Sequence, residues 1–327
     1  MNRMLKTCLL VTLTGLIATG QPMAWAASPK TLKRAAPAAP AKKNTIAQTP
    51  YLGAIVVDAA TGQVLFEDKA DAKGYPASVL KLMDLLIILE QVEQGKLSMN
   101  DQVPVSAKAS KTGGSQVWLA DKESFTLDEM LYALMVQSAN DAAVALAEKI
   151  AGSTEAFVGL MNQRAQQLGM TGTVFNSVHG LPPSAGQQHD VTTARDFATL
   201  CRELLKHKDT LRYTSTRERP FRPNGGKTMV MMRTHNHLLG AVEGCDGLKT
   251  GYITAAGYSI AVTAQRKGQR VIAVVLGSAD RKIRDAKAAE LLSKGFLALP
   301  AAQPAASAST RLPAPTAVTP PPKPTRK

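Results

Sequence analysis

The chain has 327 residues, 45% of them hydrophobic and 20% charged, which is enough to bury a core in one large domain or in two smaller ones. Its formal net charge is +14. Residues 1–50 and 300–327 hold seven and four Lys or Arg and no acid, so residues 51–299 carry only 28 basic against 25 acidic side chains. A nucleic-acid-binding domain would carry its basic surface on the folded part, and we therefore exclude nucleic acid as a partner.

Residues 1–27 have the pattern of an export signal. Arg3 and Lys6 form a short positive start, Cys8–Thr19 is an apolar run, and the small residues of 24–27 offer a cleavage site. Twelve apolar residues are too few to span the ~30 Å hydrocarbon core of a membrane. We therefore predict that the signal is removed and that the mature protein lies in the periplasm or cell-envelope space.

The segment after the signal and the carboxyl-terminal segment have little to bury. Residues 28–50 and 300–327 consist mostly of Ala, Pro, Thr and basic residues, and we predict that both are disordered spacers. A solubilising tether is the favoured role, and electrostatic contact with an anionic envelope surface is the alternative. Export also permits a disulfide between Cys201 and Cys245, but two packed thiols fit the sequence equally well.

Hydrophobic periodicity predicts the elements of the body of the chain. In chain order they are a hairpin over 52–66 and helices over 78–94, 126–136, 140–150, 154–168 and 192–207. Strands follow over 245–253, 257–264 and 271–276, and then a helix over 284–296. This order predicts an α+β fold, in which an antiparallel sheet is flanked by helices and carries an inserted all-helical subdomain. The first and last helices are expected to pack on the sheet.

The first chemical motif is Ser78-Val79-Leu80-Lys81, at the start of an apolar helix. The i, i+3 spacing puts Ser78 and Lys81 on one helix face, and a Lys in an apolar setting loses its proton more readily. A serine hydroxyl needs such a neighbouring base to become a nucleophile. A helix cap with a solvated Lys81 is the alternative, but the residues that follow Lys81 are almost all apolar.

Two further motifs follow in chain order. Ser138-Ala139-Asn140 lies at a junction of two helices, where a hydroxyl and an amide either project into a cleft or simply cap a helix. Lys249-Thr250-Gly251 lies on a predicted strand, where Lys supplies charge and Gly lets an extended ligand approach closely. Ser98-Met99-Asn100 and Lys111-Thr112-Gly113 match the same patterns, but they fall in a turn and a loop.

Ser-x-x-Lys, Ser-x-Asn and Lys-Thr-Gly, in this order, are the motifs of penicillin-recognising serine enzymes. Over about residues 51–299 the chain resembles the serine-type D-alanyl-D-alanine carboxypeptidases, the low-molecular-mass penicillin-binding proteins. Further similar segments are Tyr75-Pro76-Ala77-Ser78, Gly113-Gly114-Ser115, 137–143, Leu168-Gly169-Met170, His179-Gly180-Leu181, 192–196 and 247–252. The resemblance implies a penicillin-binding protein/β-lactamase-like fold, a peptidoglycan stem peptide as substrate and β-lactams as inhibitors.

The resemblance also implies catalytic roles. Ser78 would be the acylated nucleophile and Lys81 its base. Ser138 would relay a proton toward the leaving amine, and Lys249 would adjust the electric field around it. For every residue to which the resemblance gives a catalytic or substrate-binding role, except Ser78 and Lys81, a plain capping or surface role is the alternative.

The resemblance implies substrate contacts as well. Asn140 would hold an amide of the substrate, and the N–H groups of Ser78 and Tyr252 would form the oxyanion hole. Thr250 and Arg284 would receive the terminal carboxylate.

The sequence departs from the family pattern at two positions near the base. Leu80 and Asp84 stand where the family often has Thr. Neither change removes a reacting group, but Leu80 alters the packing beside Lys81. The Ala/Pro spacer that begins near residue 300 resembles shorter family members, some of which cut D-Ala–diaminopimelate crosslinks. Carboxypeptidase and endopeptidase activity therefore both stay open.

Three rival functions have weaker support. A β-lactamase would need a Glu after the second motif, and Glu155, the nearest candidate, opens an apolar helix. A non-enzymatic peptidoglycan-binding module is disfavoured because every reacting residue is present. His235-Asn236-His237 is the only tight pair of histidines, and no acid is placed as in a zinc-peptidase motif. We therefore predict neither a metal nor another cofactor.

Overall fold

The computed structural model describes residues 45–224 and 228–300. The predicted export signal and nearly all of the carboxyl-terminal spacer lie outside these residues. Among the described helices, none combines the length and the apolar content needed to cross a bilayer.

The folded domain begins before residue 51, so the predicted end of the linker at residue 50 is wrong. Ile46 N–H donates to Ala255 O at 2.9 Å, and Gln48 N–H donates to Gly277 O at 2.8 Å. These contacts are made by backbone groups, which pair without apolar side chains. Composition therefore gave no sign of them.

The described elements follow the predicted order of strands, helices, strands and helix. The first half comprises β1 (Gly53–Asp58), β2 (Val64–Asp68), α1 (Lys81–Glu93), β3 (Gln102–Pro104), α2 (Ala107–Ser110), β4 (Ser124–Thr126), α3 (Leu127–Tyr132), α4 (Asn140–Ala151) and α5 (Thr154–Gln167). The second half comprises α6 (Ala194–Leu204), α7 (Thr210–Thr214), β5 (Glu218–Phe221), β6 (Val230–Arg233), β7 (Cys245–Ile253), β8 (Gly257–Arg266), β9 (Gln269–Ser278) and α8 (Arg281–Ala298). A 3₁₀ turn, Ala77–Leu80, leads into α1, and a π-helical turn, Ala133–Gln137, follows α3.

Five strands form one antiparallel sheet in the order β2-β1-β9-β8-β7. The first strand pairs with the last, since Gly53 lies opposite Leu276 and Asp58 opposite Val271. This pairing confirms the predicted sheet built from both ends of the domain, with the helical subdomain inserted between them.

Alternation along the central strand β9 separates two hydrophobic cores. Ile272, Val274 and Leu276 belong to the large core shared with the helical subdomain. Val271, Ala273 and Val275 belong to a smaller core under α8. Successive side chains of a strand point to opposite faces, so a strand buried on both sides has a continuous apolar run in its sequence.

Helix α6, rather than α1, covers most of the sheet face opposite α8. The helix predicted over 78–94 meets the sheet at its start, where the turn Ala77–Leu80 contacts β7 and β8. The rest of it, α1, packs chiefly against α4, α5 and α6, while α6 packs on β1 and β9. Residues Lys81–Leu89 are buried without interruption, as expected for a helix that is apolar on all sides. The 3₁₀ turn before α1 makes the contact with β7.

Several short elements escaped prediction. The β3–β4 and β5–β6 hairpins and helices α2 and α7 have three to five residues each, which is too short for a periodic pattern. The structure also answers the open question about the cysteines. Cys201 is a buried free thiol and Cys245 a half-buried one.

Candidate active site

The first motif lies where the 3₁₀ turn meets α1. Ser78 is the second residue of the turn and Lys81 is the first residue of the helix. Ala77, just before Ser78, has a φ of +47°. This left-handed conformation costs about 1–2 kcal/mol for a residue with a Cβ. Backbone strain of this kind clusters at functional sites, because the surrounding structure must hold it in place.

The Lys81 amine lies at the centre of a small polar network. Its Nζ is 3.0 Å from Ser78 Oγ, and it donates to Asn140 Oδ1 at 2.7 Å and to His179 O at 3.1 Å. A neutral amine has two N–H groups and one lone pair. The Asn140 and His179 oxygens accept the two N–H groups, so the lone pair is left facing the Ser78 hydroxyl. This is the arrangement that a general base requires.

Burial favours the neutral form of the Lys81 amine. Lys81 is fully buried, and this lowers its pKa from the ordinary 10.5 to about 7. The carboxyl groups of Asp84, Asp141 and Asp190 oppose burial and raise the pKa, in that order. A pKa near 7 leaves about half of the molecules with a neutral amine at pH 7.

Asp84 differs from the other two acids near Lys81. The Asp141 carboxylate accepts three backbone N–H groups, and the Asp190 carboxylate accepts two backbone N–H groups and a hydroxyl. Asp84 is 2% exposed, and neither of its carboxyl oxygens has a hydrogen-bond partner among the described residues. Burial raises the pKa of Asp84 well above its usual range.

A segment that carries no chemical motif completes the surroundings of the Lys81 amine. His179 O accepts from Lys81, and a Cβ on Gly180 would lie 2.3 Å from Ala77 O, so only glycine lets this segment contact the turn that bears Ser78. Burial, and then the charge of Lys81, lower the pKa of His179 to about 4. His179 Nδ1 accepts the Leu181 N–H at 3.1 Å, as expected for a neutral ring.

The second motif follows the π-helical turn. Such turns are rare and are frequent at functional sites. Ser138 ends the turn in a left-handed conformation, with φ 61° and ψ 33°, and Asn140 begins α4. Asn140 Nδ2 donates to Gly113 O at 2.8 Å, so one of its two N–H groups is left for a substrate oxygen. Asn140 therefore links the Lys81 amine to the loop that contains Gly113.

The third motif lies on the edge strand β7, beside Ser78. A Cβ at Gly251 would lie 2.6 Å from Pro76 O and 3.0 Å from Ser78 N, so no side chain fits there. The Lys249 amine is buried and donates to Thr250 O at 3.1 Å. Burial, and then the charges of Lys81 and Arg284, lower the pKa of Lys249 well below its usual range.

Arg284 approaches the same strand from the first turn of α8. Its Nε and Nη2 donate to Asp285 Oδ1 at 2.8 and 2.6 Å, and its Nη1 donates to Ser259 O at 3.4 Å. The guanidinium is therefore fixed in direction, and its charge is partly balanced. At the rim, Tyr252 is 49% exposed and stacks on Tyr258 with ring centroids 4.3 Å apart.

These elements enclose a cleft of about 330 Å³. Seven of the predicted site residues line it: Ser78, Ser138, Asn140, Thr250, Gly251, Tyr252 and Arg284. Lys81 and Lys249 are buried behind the lining. The other lining residues, to which the sequence gave no catalytic or substrate-binding role, are Gly114, Ser115, Gly180, Leu181, His235, His237, Ile253, Tyr258 and Arg281. Gly114, Ser115, Gly180 and Leu181 belong to segments that the family resemblance includes. No motif includes Tyr258 or Arg281.

The structure does not place the residues of the β-lactamase and zinc-peptidase alternatives in the arrangement that those functions need. The Glu155 side chain is 77% exposed, pairs with Lys108 at 3.1 Å and does not line the cleft, so it offers no base for a deacylating water. His235 and His237 line the cleft, but they belong to no cluster of three potential metal ligands among the described residues.

An antiparallel sheet with an inserted helical subdomain brings the three motifs together around one serine. The fold and the three motifs are those of the penicillin-recognising class of serine enzymes. Comparison with known proteins narrows this class, since the family model for D-alanyl-D-alanine carboxypeptidase matches residues 39–280. The chain belongs to the D-alanyl-D-alanine carboxypeptidase family.

Individual relatives agree with this assignment. The chain is 37% identical to D-alanyl-D-alanine carboxypeptidase DacF of Bacillus subtilis (strain 168), over 74% of this chain and 61% of that protein. It is 36% identical to DacC of Escherichia coli (strain K12), over 80% of this chain and 65% of that protein. It therefore spans slightly less than two thirds of these curated relatives.

A solved structure supports the fold. Penicillin-Binding Protein D2 from Listeria monocytogenes, in its ampicillin-bound form, is 30% identical, with a TM-score of 0.67 over 76% of this chain and 98% of that one.

Proposed function

We propose that this protein is an exported serine D,D-peptidase that removes the terminal D-Ala from peptidoglycan stem peptides and is acylated by penicillin. One observation carries the proposal: the buried Lys81 amine faces the Ser78 hydroxyl at 3.0 Å, at the side of an open cleft. Family membership supports the substrate class, and the ampicillin-bound relative supports the inhibitor class.

Acylation begins when neutral Lys81 takes the Ser78 hydroxyl proton and Oγ attacks the carbonyl carbon of the penultimate D-Ala. The N–H groups of Ser78 and Tyr252 stabilise the oxyanion, and each such donor is typically worth about 10²–10³ in rate. The peptide C–N bond then breaks. The leaving amine of D-Ala takes, through Ser138, the proton that Lys81 removed from Ser78, so Lys81 is neutral again. The shortened peptide stays as an ester on Ser78.

Water completes the cycle by attacking the ester. Its proton passes to Lys81, and the ester bond breaks to release the peptide carboxylate and restore the Ser78 hydroxyl. Asn140 and the edge of β7 hold the peptide during both steps. Thr250 and Arg284 receive the terminal carboxylate of the substrate before it leaves, and Lys249 adjusts the electric field around the reacting groups.

The test is Ser78→Ala. The matched control is Ser98→Ala, because the Ser98-Met99-Asn100 segment resembles the second motif but does not line the cleft. Labelling by a fluorescent penicillin and release of D-Ala from a pentapeptide should both be lost in Ser78→Ala and kept in Ser98→Ala. Labelling retained by a folded Ser78→Ala protein would refute the assignment. Clearance of penicillin over many turnovers by the wild type would instead establish a β-lactamase.

Export is part of the same proposal. The apolar run Cys8–Thr19, its basic start and the small residues of 24–27 support it. Sequencing the amino terminus of the protein recovered from the envelope fraction should find a chain that begins near residue 27 or 28. A full-length chain that stays in the cytoplasm would contradict this.

A further inference from the structure

A stretch of chain without regular structure supplies one of the two oxygens that orient the Lys81 amine. Residues 176–189 form neither helix nor strand. Around His179 the backbone N–H groups donate to side chains; these groups belong to residues 176, 177, 179, 180 and 181. Side chains therefore fix the position of His179 O, which accepts from Lys81 Nζ at 3.1 Å.

Ser177 and Asp190 provide most of these acceptors. Asp190 Oδ1 accepts the N–H groups of Asn176 and Ser177 at 2.6 and 2.8 Å, and Asp190 Oδ2 accepts the Ser177 hydroxyl at 2.7 Å. Ser177 Oγ accepts the N–H groups of Gly180 and His179 at 2.9 and 3.4 Å. A hydroxyl has one O–H group and two lone pairs, so donation to Asp190 leaves both lone pairs for the two N–H groups.

The hydrogen bond from Gly180 N–H fixes the direction of the carbonyl. His179 C=O and Gly180 N–H belong to one peptide group, which is planar and trans, so the two bonds point in opposite directions. When the N–H group is held on Ser177 Oγ, the carbonyl oxygen must point to the other side, where Lys81 Nζ lies. The Ser177 hydroxyl therefore controls the orientation of an acceptor that it does not touch.

Asp190 is in turn fixed to the segment that leads into the 3₁₀ turn. Two residues after it, Thr192 exchanges two backbone hydrogen bonds with Gly74, both at 2.8 Å. One residue before it, the His189 ring stacks on Tyr75 with ring centroids 4.2 Å apart. The Asp190 side chain is 5% exposed. The carboxylate is thus held in place relative to the start of α1.

We propose that Ser177 and Asp190 are positioning residues for Lys81. By fixing His179 O, they keep the lone pair of the neutral amine directed at Ser78 Oγ. The proposal rests on the serine D,D-peptidase function proposed above, in which that lone pair takes the hydroxyl proton. Neither positioning side chain lines the cleft, so both act through the amine and not on the substrate.

The same contact affects the protonation of the amine. An acceptor that binds the protonated amine stabilises it, so loss of the His179 acceptor lowers the pKa of Lys81. Other titratable groups also interact with Lys81; they are Asp84 on α1, Asp141 on α4, His179 and Asp190 between α5 and α6, His235 after β6 and Lys249 on β7. A change at Ser177 leaves all of these groups in the protein, so a shifted pH profile reports the hydrogen bond.

Removal of the hydroxyl tests the proposal. Ser177→Ala leaves the Gly180 N–H without its acceptor, whereas the conservative variant Ser177→Thr keeps the hydroxyl. Asp190→Asn keeps one oxygen for the two N–H groups, but it replaces the acceptor of the Ser177 hydroxyl by an amide NH₂ group.

The matched control is Thr173→Ala, which removes a hydroxyl from a similar pair nearby. The Thr173 hydroxyl donates to the buried Asp196 carboxylate at 2.6 Å. Among the described residues neither of these side chains forms a hydrogen bond with Lys81 or with residues 176–181. The control therefore costs a comparable buried hydrogen bond without reaching His179 O.

Each variant is measured by stopped-flow labelling with a fluorescent penicillin over the pH range and by urea titration. In Ser177→Ala the rate on the high-pH plateau should fall by about 10–10²-fold, because misplacement by about 1 Å can cost 10² in rate. The midpoint of the acid limb should fall by about 0.5–1 pH unit, because the protonated amine loses an acceptor. Asp190→Asn should lower the midpoint further, since it also removes a negative charge that raises the Lys81 pKa. Ser177→Thr should restore the wild-type profile, and Thr173→Ala should lower only the free energy of unfolding.

A folded Ser177→Ala protein with the wild-type rate and midpoint would overturn the inference. A slower rate with an unchanged midpoint, or an equal loss of rate in Thr173→Ala, would do the same, because either result would mean a purely structural role. If Ser177→Ala does not fold, the rate and midpoint of Asp190→Asn decide in the same way. Absence of penicillin labelling and of D-Ala release in the wild type would instead overturn the proposed function.

Discussion

The buried lysine makes a quantitative prediction for the pH dependence of acylation. The reactive form is the neutral amine, whose fraction rises with pH. With an ordinary pKa near 10.5, about one amine in three thousand would be neutral at pH 7, whereas a pKa of about 7 gives about half. The second-order rate of acylation by penicillin should therefore rise with pH between 5 and 8 and level off above the pKa, with a midpoint near 7.

The measurement is stopped-flow labelling by a fluorescent penicillin from pH 5 to pH 9.5, with the free-enzyme pKa read from the acid limb of the profile. Lys81→Arg is the companion variant, because Arg keeps the positive charge but does not give up its proton. Loss of the base should lower the rate by about 10²–10⁴. A rate that is flat from pH 5 to 9, a midpoint near 10, or a folded Lys81→Arg protein with normal labelling would refute the role of Lys81.

Three further predictions concern single sites. Asp84→Thr should raise the free energy of unfolding by about 1–3 kcal/mol, because it removes a buried carboxyl group without a hydrogen-bond partner. Urea titration measures this free energy, and an unchanged or lower value would contradict the prediction. Gly251→Ala should abolish penicillin labelling in a protein that still unfolds cooperatively, because the new Cβ would meet Pro76 O at 2.6 Å. Reducing agent should leave the melting temperature unchanged, since Cys201 and Cys245 are free thiols, and a marked fall would reveal a bridge.

Local sequence patterns predicted several elements of the fold and one contact of the site. The hairpin over 52–66 and the strand over 245–253 each depend on neighbouring residues, so their sequences predicted them. The i, i+3 spacing of Ser78 and Lys81 likewise predicted the contact between hydroxyl and amine, because one helical turn is enough to bring them together.

The sequence did not predict where α1 packs. Its apolar character on all sides predicted burial but not the helices it packs against, and the amphipathic helix α6 covers most of that face of the sheet. The linker was also misjudged, since residues 45–50 join the fold through backbone hydrogen bonds that composition does not record.

The sequence by itself determined which groups are available for chemistry: a serine and a lysine one turn apart, and two later motifs whose residue types suit an extended peptide. The tertiary structure alone decided what the lysine can do. His179 O and Asn140 Oδ1, which are 98 and 59 residues away along the chain, accept its two N–H groups, and the surrounding helices exclude water from it. Burial and long-range hydrogen bonds set the protonation of an amine, and both exist only once distant segments have packed together.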